Sequence, residues 1–251
     1  MPVLNEGDII KANTERLLAY CRKLSQPFEI IIVSNGSTDQ TNELGRKLGR
    51  DLDEIHFLEI PEKGVGRAFT IGVKQANFDR IISVDMDLSI DLGFINQALD
   101  LLQENHIVVG SKKMGSQNRT LWRMAGSRVF ILTVRALIGL PFEDYSIAAK
   151  AYRREIIVRY LDRIDYGTSY VLDIIYHALS DGGRAIEVPV YCEDFRPSKF
   201  NLFNEALYRF YNVFRLWWNY HAWPGSAVPW IMTLPSGKTE NWKSSASKRT
   251  R

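Results

Sequence analysis

The sequence predicts an α/β fold on a mostly parallel sheet, and three observations carry that prediction. Short apolar runs rich in β-branched residues recur along the first half: EIIIVS (29–34), IISVD (81–85) and HIVVGS (106–111). Segments with helical spacing of apolar residues separate them, and this alternation is the pattern of βαβ units. Polar and charged residues, Asn35, Asp85, Asp87 and Lys112, then stand where those runs end. Sheets of this class collect their ligands at the carboxyl ends of the strands.

Each element follows in order. EIIIVS reads as a strand, NGSTDQT as a turn, and a helix runs from about Thr41 to Leu48. EIHFLEI (54–60) is a second strand, PEKGVG a loop, and RAFTIGVKQA (67–76) a helix. After IISVD, the segment LGFINQALDLLQE (92–104) places apolar residues at 94, 95, 98, 101 and 102, a helical stripe. HIVVGS is the next strand, and residues 113–142 turn helical and arginine-rich. SIAAKAYRREIIVRYL (146–161) reads as a strand or loop entering a helix, and GTSYVLDIIYHALSDGG (167–183) as a helix stopped by Gly-Gly. RAIEVPVYC (184–192) is a strand that Pro189 places at an edge. The chain opens MPVLNEGD, which reads as the loop after a first strand. The expectation is a first strand that is truncated or lacking.

The totals exclude several classes. At 251 residues, 45% hydrophobic and 24% charged, the chain has the balance of one large water-facing domain. A net charge of +3 is too mild to point to nucleic acid, and none is expected as a partner. Cys21 and Cys192 stand far apart with no CxxC partner, which argues against a zinc site or a disulfide framework. No secretory signal is visible, and no uncharged apolar run reaches the roughly 18 residues of a membrane span. Residues 1–200 are read as the α/β domain, 201–234 as an amphipathic segment and 235–251 as a disordered basic tail.

VDMDLS (84–89) holds two carboxylates one residue apart at a strand end. Such a pair can share a hard divalent cation that also binds phosphate oxygens, as magnesium does. On spacing alone, a solvated loop with two surface acids fits equally well.

The context bears on that choice. PVLNE (2–6), VSNGSTDQT (33–41), KGVGRAFTIG (63–72), VDMDLS, GSK (110–112), RMAGSR (123–128), EDYSIAAKAYRRE (143–155) and EVPVYCEDFRPSKFNL (187–202) occur in this order. Together they resemble a family 2 glycosyltransferase of the GT-A fold, most like dolichol-phosphate mannose synthase and its polyprenyl-phosphate relatives. The resemblance implies a metal-dependent, inverting transfer of a hexose from a nucleotide-sugar, GDP-mannose or UDP-glucose in type, to a polyprenyl phosphate.

Carried over residue by residue, it implies that Asp85 and Asp87 hold Mg2+ or Mn2+ against the donor diphosphate. Pro2, Leu4, Glu6, Val33 and Asn35 would line the base and ribose pocket, and Lys63 and Met86 stand in the matching donor loops. Arg123 and Arg128 would face the acceptor phosphate, while Lys112, Arg196 and Lys199 close over the diphosphate or acceptor. Asp144 would orient the acceptor or serve as base toward a hydroxyl. The chain departs from the family pattern at Leu4 for tyrosine, Ser34 and Asn35 for aspartates, Lys112 for arginine, Arg196 in its spacing, and Ile147-Ala148 for Ser-Gly. The last change raises a geometric question, because Ala does not take positive φ cheaply.

A lipid-linked acceptor requires a route to the bilayer. Phe203, Ala206, Leu207, Phe210, Phe214, Trp217 and Trp218 form one stripe at helical spacing, with Asn204, Arg209, Asn212 and Asn219 facing away. That pattern suits a helix lying in a membrane interface, a core helix, or an oligomer contact. The expected location is peripheral, on the cytoplasmic face of a membrane. Transfer to a hydroxyl acceptor, a nucleotidyltransferase, and a degenerate non-catalytic scaffold are the competing readings.

Overall fold

A computed structural model describes residues 1–112, 121–192 and 202–221; of 121–125, 202–203 and 220–221 it describes the backbone alone. The chain order is β1 (Pro2–Val3), α1 (Ile10–Cys21), β2 (Ile30–Asn35), α2 (Thr41–Asp51), β3 (Ile55–Ile60), α3 (Val65–Gln75) and β4 (Arg80–Ser83). There follow α4 (Gly93–Leu101), β5 (Ile107–Ser111), α5 (Leu121–Ile138), β6 (Lys150–Arg153), α6 (Arg154–Ile157), α7 (Tyr170–Ser180), β7 (Ala185–Pro189) and α8 (Leu202–His221).

The strands form two ladders. One runs β1-β2-β3, all parallel, with Pro2 opposite Val33 and Ile30 opposite Ile55. The other runs β4-β6-β5-β7, in which β6 is antiparallel to both neighbours and β5 pairs in parallel with β7. Pro189 ends the edge strand β7, where its missing N–H costs no ladder bond. The first strand is two residues long.

Apolar residues cover both faces of the sheet, as expected for strands buried on two sides. One core joins Leu17 and Leu18 of α1 and Ile95 and Ala98 of α4 to Ile32, Val84 and Val108. The other joins Phe69 and Val73 of α3 and much of α7 to Ile107, Val109 and Tyr152. Helix α1 has no counterpart in the elements expected above. It buries Ile10, Thr14, Leu17, Leu18 and Cys21, so two of its five core positions are not plainly apolar.

Helix α8 is amphipathic as expected, and the face it turns inward mixes polar and apolar residues. Asn212, Val213 and Leu216 are buried, whereas Leu207, Tyr211, Phe214 and Trp218 are exposed. Paired charges make that burial affordable. Arg215 meets the buried Asp173 of α7 at 3.0 Å, Arg209 meets Glu205 at 2.7 Å, and the Tyr208 hydroxyl donates to Asp165. Asn212 is therefore an inner residue, facing away from the exposed aromatic stripe. The outer stripe continues onto α5, which packs on α8 through an edge-on Phe130–Phe210 contact and exposes Val129 and Leu132. Among the described residues, no helix is long and apolar enough to cross a membrane. Residues 222–251, and with them the proposed tail, lie outside the described residues.

Candidate active site

The two acids are separated by a residue that points the other way. Met86 is buried, its carbonyl accepts from the Asn13 amide at 2.9 Å, and its sulfur lies 3.9 Å from the Thr14 hydroxyl, both on α1. In the bend that follows β4, Asp85 and Asp87 keep solvent exposure while Met86 turns inward. A turn closes the segment. Leu88 takes a left-handed conformation (φ 47°), its N–H returns to the Asp85 carbonyl at 3.1 Å, and Ser89 N–H caps Asp87 Oδ1 at 3.1 Å. Met86 is thus an inward anchor and not a surface the donor could touch.

Asp85 reaches solvent, yet it stands in a crowded recess. That crowding, and then the neighbouring Asp87, raise its pKa; the Ala148 N–H, Lys112 and Lys150 pull it back. The pair is an incompletely balanced concentration of negative charge. Its chemistry fits a hard divalent cation, with the remaining positions filled by phosphate and water. No group of three or more potential metal ligands occurs among the described residues, so such an ion would depend on its substrate for oxygens.

Beneath Asp85 lies a web that the sequence did not reveal. Lys150 of β6 is fully buried and donates to the carbonyls of Gly110 (3.1 Å) and Ile147 (2.9 Å). Burial lowers its pKa to about 8 against the pull of Asp144, Glu187 and Asp85. Asp144 accepts from Lys112 N–H at 3.1 Å and from both the N–H and hydroxyl of Ser146 at 2.8 Å. Burial alone would raise the Asp144 pKa, but Lys150, Ser146 and Lys112 together hold it below the ordinary carboxylate value. Glu187 of β7 receives the N–H groups of Glu143 (2.9 Å) and Asp144 (3.2 Å). Gly110 permits this closeness, since a side chain there would meet the Ala149 carbonyl at 2.7 Å. Ala148 takes no positive φ, so replacement of Ser-Gly by Ile147-Ala148 does not strain the loop.

At the ends of β1 and β2 the residues expected to bind a nucleotide are largely fasteners. Asn35 is buried; its amide donates to the Val3 carbonyl at 2.7 Å and its oxygen accepts from Gly64 N–H at 3.1 Å. Val33 is 1% exposed and presents no side-chain surface. Ser34 is spent on Ser37 and Asn42. The loop 4–7 is laced to 37–41 through Glu6 N–H to Thr41 (2.8 Å) and Gly7 N–H to Asp39 (3.0 Å). Pro2, Leu4 and Glu6 remain partly exposed at this end, and Lys63 packs over Gly36.

The structure therefore brings Asp85, Asp87, Lys112 and Asp144 together at one end of β4 and β5. Arg128 is exposed on α5. The Arg123 side chain, Arg196 and Lys199 lie outside the described residues. An open groove of about 710 Å³ leads away from Asp87 past Arg16, Tyr20, Lys23 and Tyr191.

Known proteins are similar to this chain in sequence and in fold. The chain is 31% identical over 159 residues to the undecaprenyl-phosphate 4-deoxy-4-formamido-L-arabinose transferase of Pectobacterium atrosepticum, covering 62% of this chain and 48% of that protein. The Serratia proteamaculans enzyme of the same name is 28% identical over 204 residues, 80% of this chain and 62% of its own length. The chain thus spans about half the length of most such relatives. Among solved structures, mannosyl-3-phosphoglycerate synthase from Rubrobacter xylanophilus superposes with a TM-score of 0.68 at 15% identity, over 89% of this chain and 76% of the other. Glucosyl-3-phosphoglycerate synthase from Mycobacterium tuberculosis, in a complex with Mn2+, UDP and glucosyl-3-phosphoglycerate, gives 0.64 at 15% identity, over 87% and 77%. These likenesses establish the fold. The family described as Glycosyl transferase family 2 matches residues 1–161, and the chain, with its paired acids at the end of β4, belongs to it.

Proposed function

We propose that this protein transfers a glycosyl group from a nucleotide-sugar to a polyprenyl phosphate, with inversion at the anomeric carbon, at the cytoplasmic face of a membrane. The observation that carries the reading is the outward pair Asp85 and Asp87, beside Lys112 and above the buried Lys150. Mg2+ or Mn2+ held by that pair would stabilise the negative charge that grows on the leaving nucleoside diphosphate. An oxygen of the acceptor phosphate forms the new bond to the anomeric carbon as the bond to the donor diphosphate breaks, and the diphosphate leaves with the electron pair. The acceptor is already an anion, so no proton need be removed. The chain's part is to hold two anions together and to screen their repulsion.

Asp144 supports a phosphate acceptor over a hydroxyl. Its oxygens already accept three hydrogen bonds and its pKa is lowered, which makes it a poor base. Lys112 has its side chain free of that task, and Arg123 and Arg128 follow on α5. The relatives named for an undecaprenyl-phosphate acceptor favour the same class. Their name also makes a nucleotide-linked 4-deoxy-4-formamido-L-arabinose a donor to test beside GDP-mannose and UDP-glucose.

The outer face of α8 supplies the contact with the bilayer. Leu207, Tyr211, Phe214 and Trp218 recur at helical spacing and stand open to solvent. A helix that turns paired charges inward and aromatic side chains outward suits the headgroup boundary.

Calorimetry with a panel of GDP- and UDP-sugars, in Mn2+ and then in EDTA, tests the site. One donor should bind only with metal, and transfer should follow with a short-chain prenyl phosphate. Donor binding that is indifferent to EDTA, or transfer to free sugars without lipid, would overturn the reading.

A further inference from the structure

The loop from Asp165 to Ser169, which leads into α7, is gripped from two sides. On one side it meets the start of α3. The Tyr166 carbonyl accepts from Gly66 N–H at 3.0 Å and from Arg67 N–H at 3.2 Å, and the Gly167 carbonyl accepts from Gly66 N–H at 3.1 Å. The Arg67 guanidinium lies over the Tyr166 ring, 4.6 Å from its centroid. Amides in the first turn of a helix lack partners within the helix. Here the loop supplies them, so Gly66 and Arg67 do not keep theirs for a ligand. The approach leaves no room for a side chain. A Cβ at Gly64 would stand 2.7 Å from the Tyr166 carbonyl, and one at Gly66 would overlap the Asp165 carbonyl. Gly64 N–H donates to Asn35 and Lys63 packs over Gly36, so this helix start is continuous with the donor loop.

On its other side the loop meets α8. The Tyr208 hydroxyl donates to Asp165 Oδ1, while Asp165 Oδ2 accepts from Ser169 N–H at 3.0 Å. The Thr168 hydroxyl donates to Glu205, whose carboxylate also pairs with Arg209. Asp165 N–H donates at 2.6 Å to Asp173, the carboxylate that Arg215 balances. A Cβ at Gly167 would meet the Tyr208 hydroxyl at 2.5 Å. Side chains of α8 thus anchor one flank of the loop, the backbone of α3 anchors the other, and close packing on both flanks transmits displacement between them.

We propose that Tyr208 and Glu205 are positioning residues for the donor loop 63–67, acting through the loop 165–169; the inference rests on the nucleotide-sugar reading of the site. The two side chains fix Asp165 and Thr168. The carbonyls of Tyr166 and Gly167, between those residues, fix the first turn of α3 beside Asn35. The helix that carries the exposed aromatic stripe therefore also sets the affinity for the nucleotide.

The test compares the full chain with Tyr208→Phe, which keeps the ring and loses the hydroxyl, and with Thr168→Val, which keeps the shape and loses the bond to Glu205. Tyr160→Phe is the control, because it removes a Tyr–Asp bond of the same kind, to Asp181 at the other end of α7. Calorimetry is run with UDP and with GDP in Mn2+, and amide exchange and melting are read without nucleotide. Tyr208→Phe and Thr168→Val should each weaken binding of the nucleotide that the unaltered chain accepts by about fivefold or more. Each should speed exchange at Gly66 and Arg67 about tenfold while exchange in β2 and β5 stays as it was. Tyr160→Phe should lower the melting midpoint and do neither. Thr168→Val carries the test if Tyr208→Phe does not fold. Unchanged affinity in the variants, or an equal loss in Tyr160→Phe, would overturn the inference and leave the reading of function standing. An unaltered chain that binds neither UDP nor GDP would overturn both.

Discussion

Single residues decide how much charge this site can bear. Asp87→Ala should lower transfer about 10²–10³-fold and abolish Mn2+-dependent donor binding, read by calorimetry on the same preparation. Lys150→Met keeps the volume and removes the ammonium beneath Asp85, Asp144 and Glu187, leaving buried acids unbalanced. It should cost about 3 kcal/mol in urea unfolding and weaken donor binding as well. The Met1 amino group gives a pH signature. Its pKa is about 5 folded and 8.0 as the ordinary value, so between those limits the unfolded chain holds more protons. The contribution of this group to stability should therefore rise with pH from 5 to 8, by up to about 4 kcal/mol, and level off above 8. Urea midpoints across that range, with and without N-terminal acetylation, check it: acetylation should flatten the slope. The acid pair was legible in the sequence because two carboxylates follow an apolar run. Lys150 and Glu187 were not, because AAKAYR reads only as a strand or loop entering a helix and Glu187 stands in a run read as an edge strand. Only the insertion of β6 between β4 and β5 buries the lysine. Asn35 was legible as a strand-end residue, but its two internal hydrogen bonds depend on Val3 and Gly64, which meet it only in the fold.

At the scale of elements, α8 separates stability from surface attachment. Phe214→Asp and Trp218→Glu alter only exposed aromatic groups and should leave the unfolding free energy within about 0.5 kcal/mol. Both should weaken sedimentation with anionic liposomes. Arg215→Met acts in the opposite sense. It leaves Asp173 buried without its guanidinium partner and should cost about 3 kcal/mol, with little direct effect on lipid contact. Periodicity revealed the helix and its apolar stripe, but it carries no information about which side faces in. That depended on Asp165 and Asp173, far away in sequence, supplying partners for Tyr208 and Arg215. Helix α1 escaped notice for a related reason. Thr14 and Cys21 occupy core positions, which thins the apolar pattern that a sequence displays.

For the whole molecule, the alternation of strands and helices was enough to give the α/β class, and the order of motifs gave the positions of strand ends. The division into two ladders was less legible, since pairing partners and the reversed direction of β6 are set by tertiary contacts. Pro2–Val3, read in the sequence as the loop after a truncated or lacking first strand, pairs with β2 as a two-residue strand, and a seam lies between the β2 and β4 ladders. That seam is large and apolar enough to admit a small hydrophobic compound. A wedge seated there would press the two ladders apart without touching Asp85 or Asp87. Such a compound would act on the spacing of the ladders and not on the paired acids.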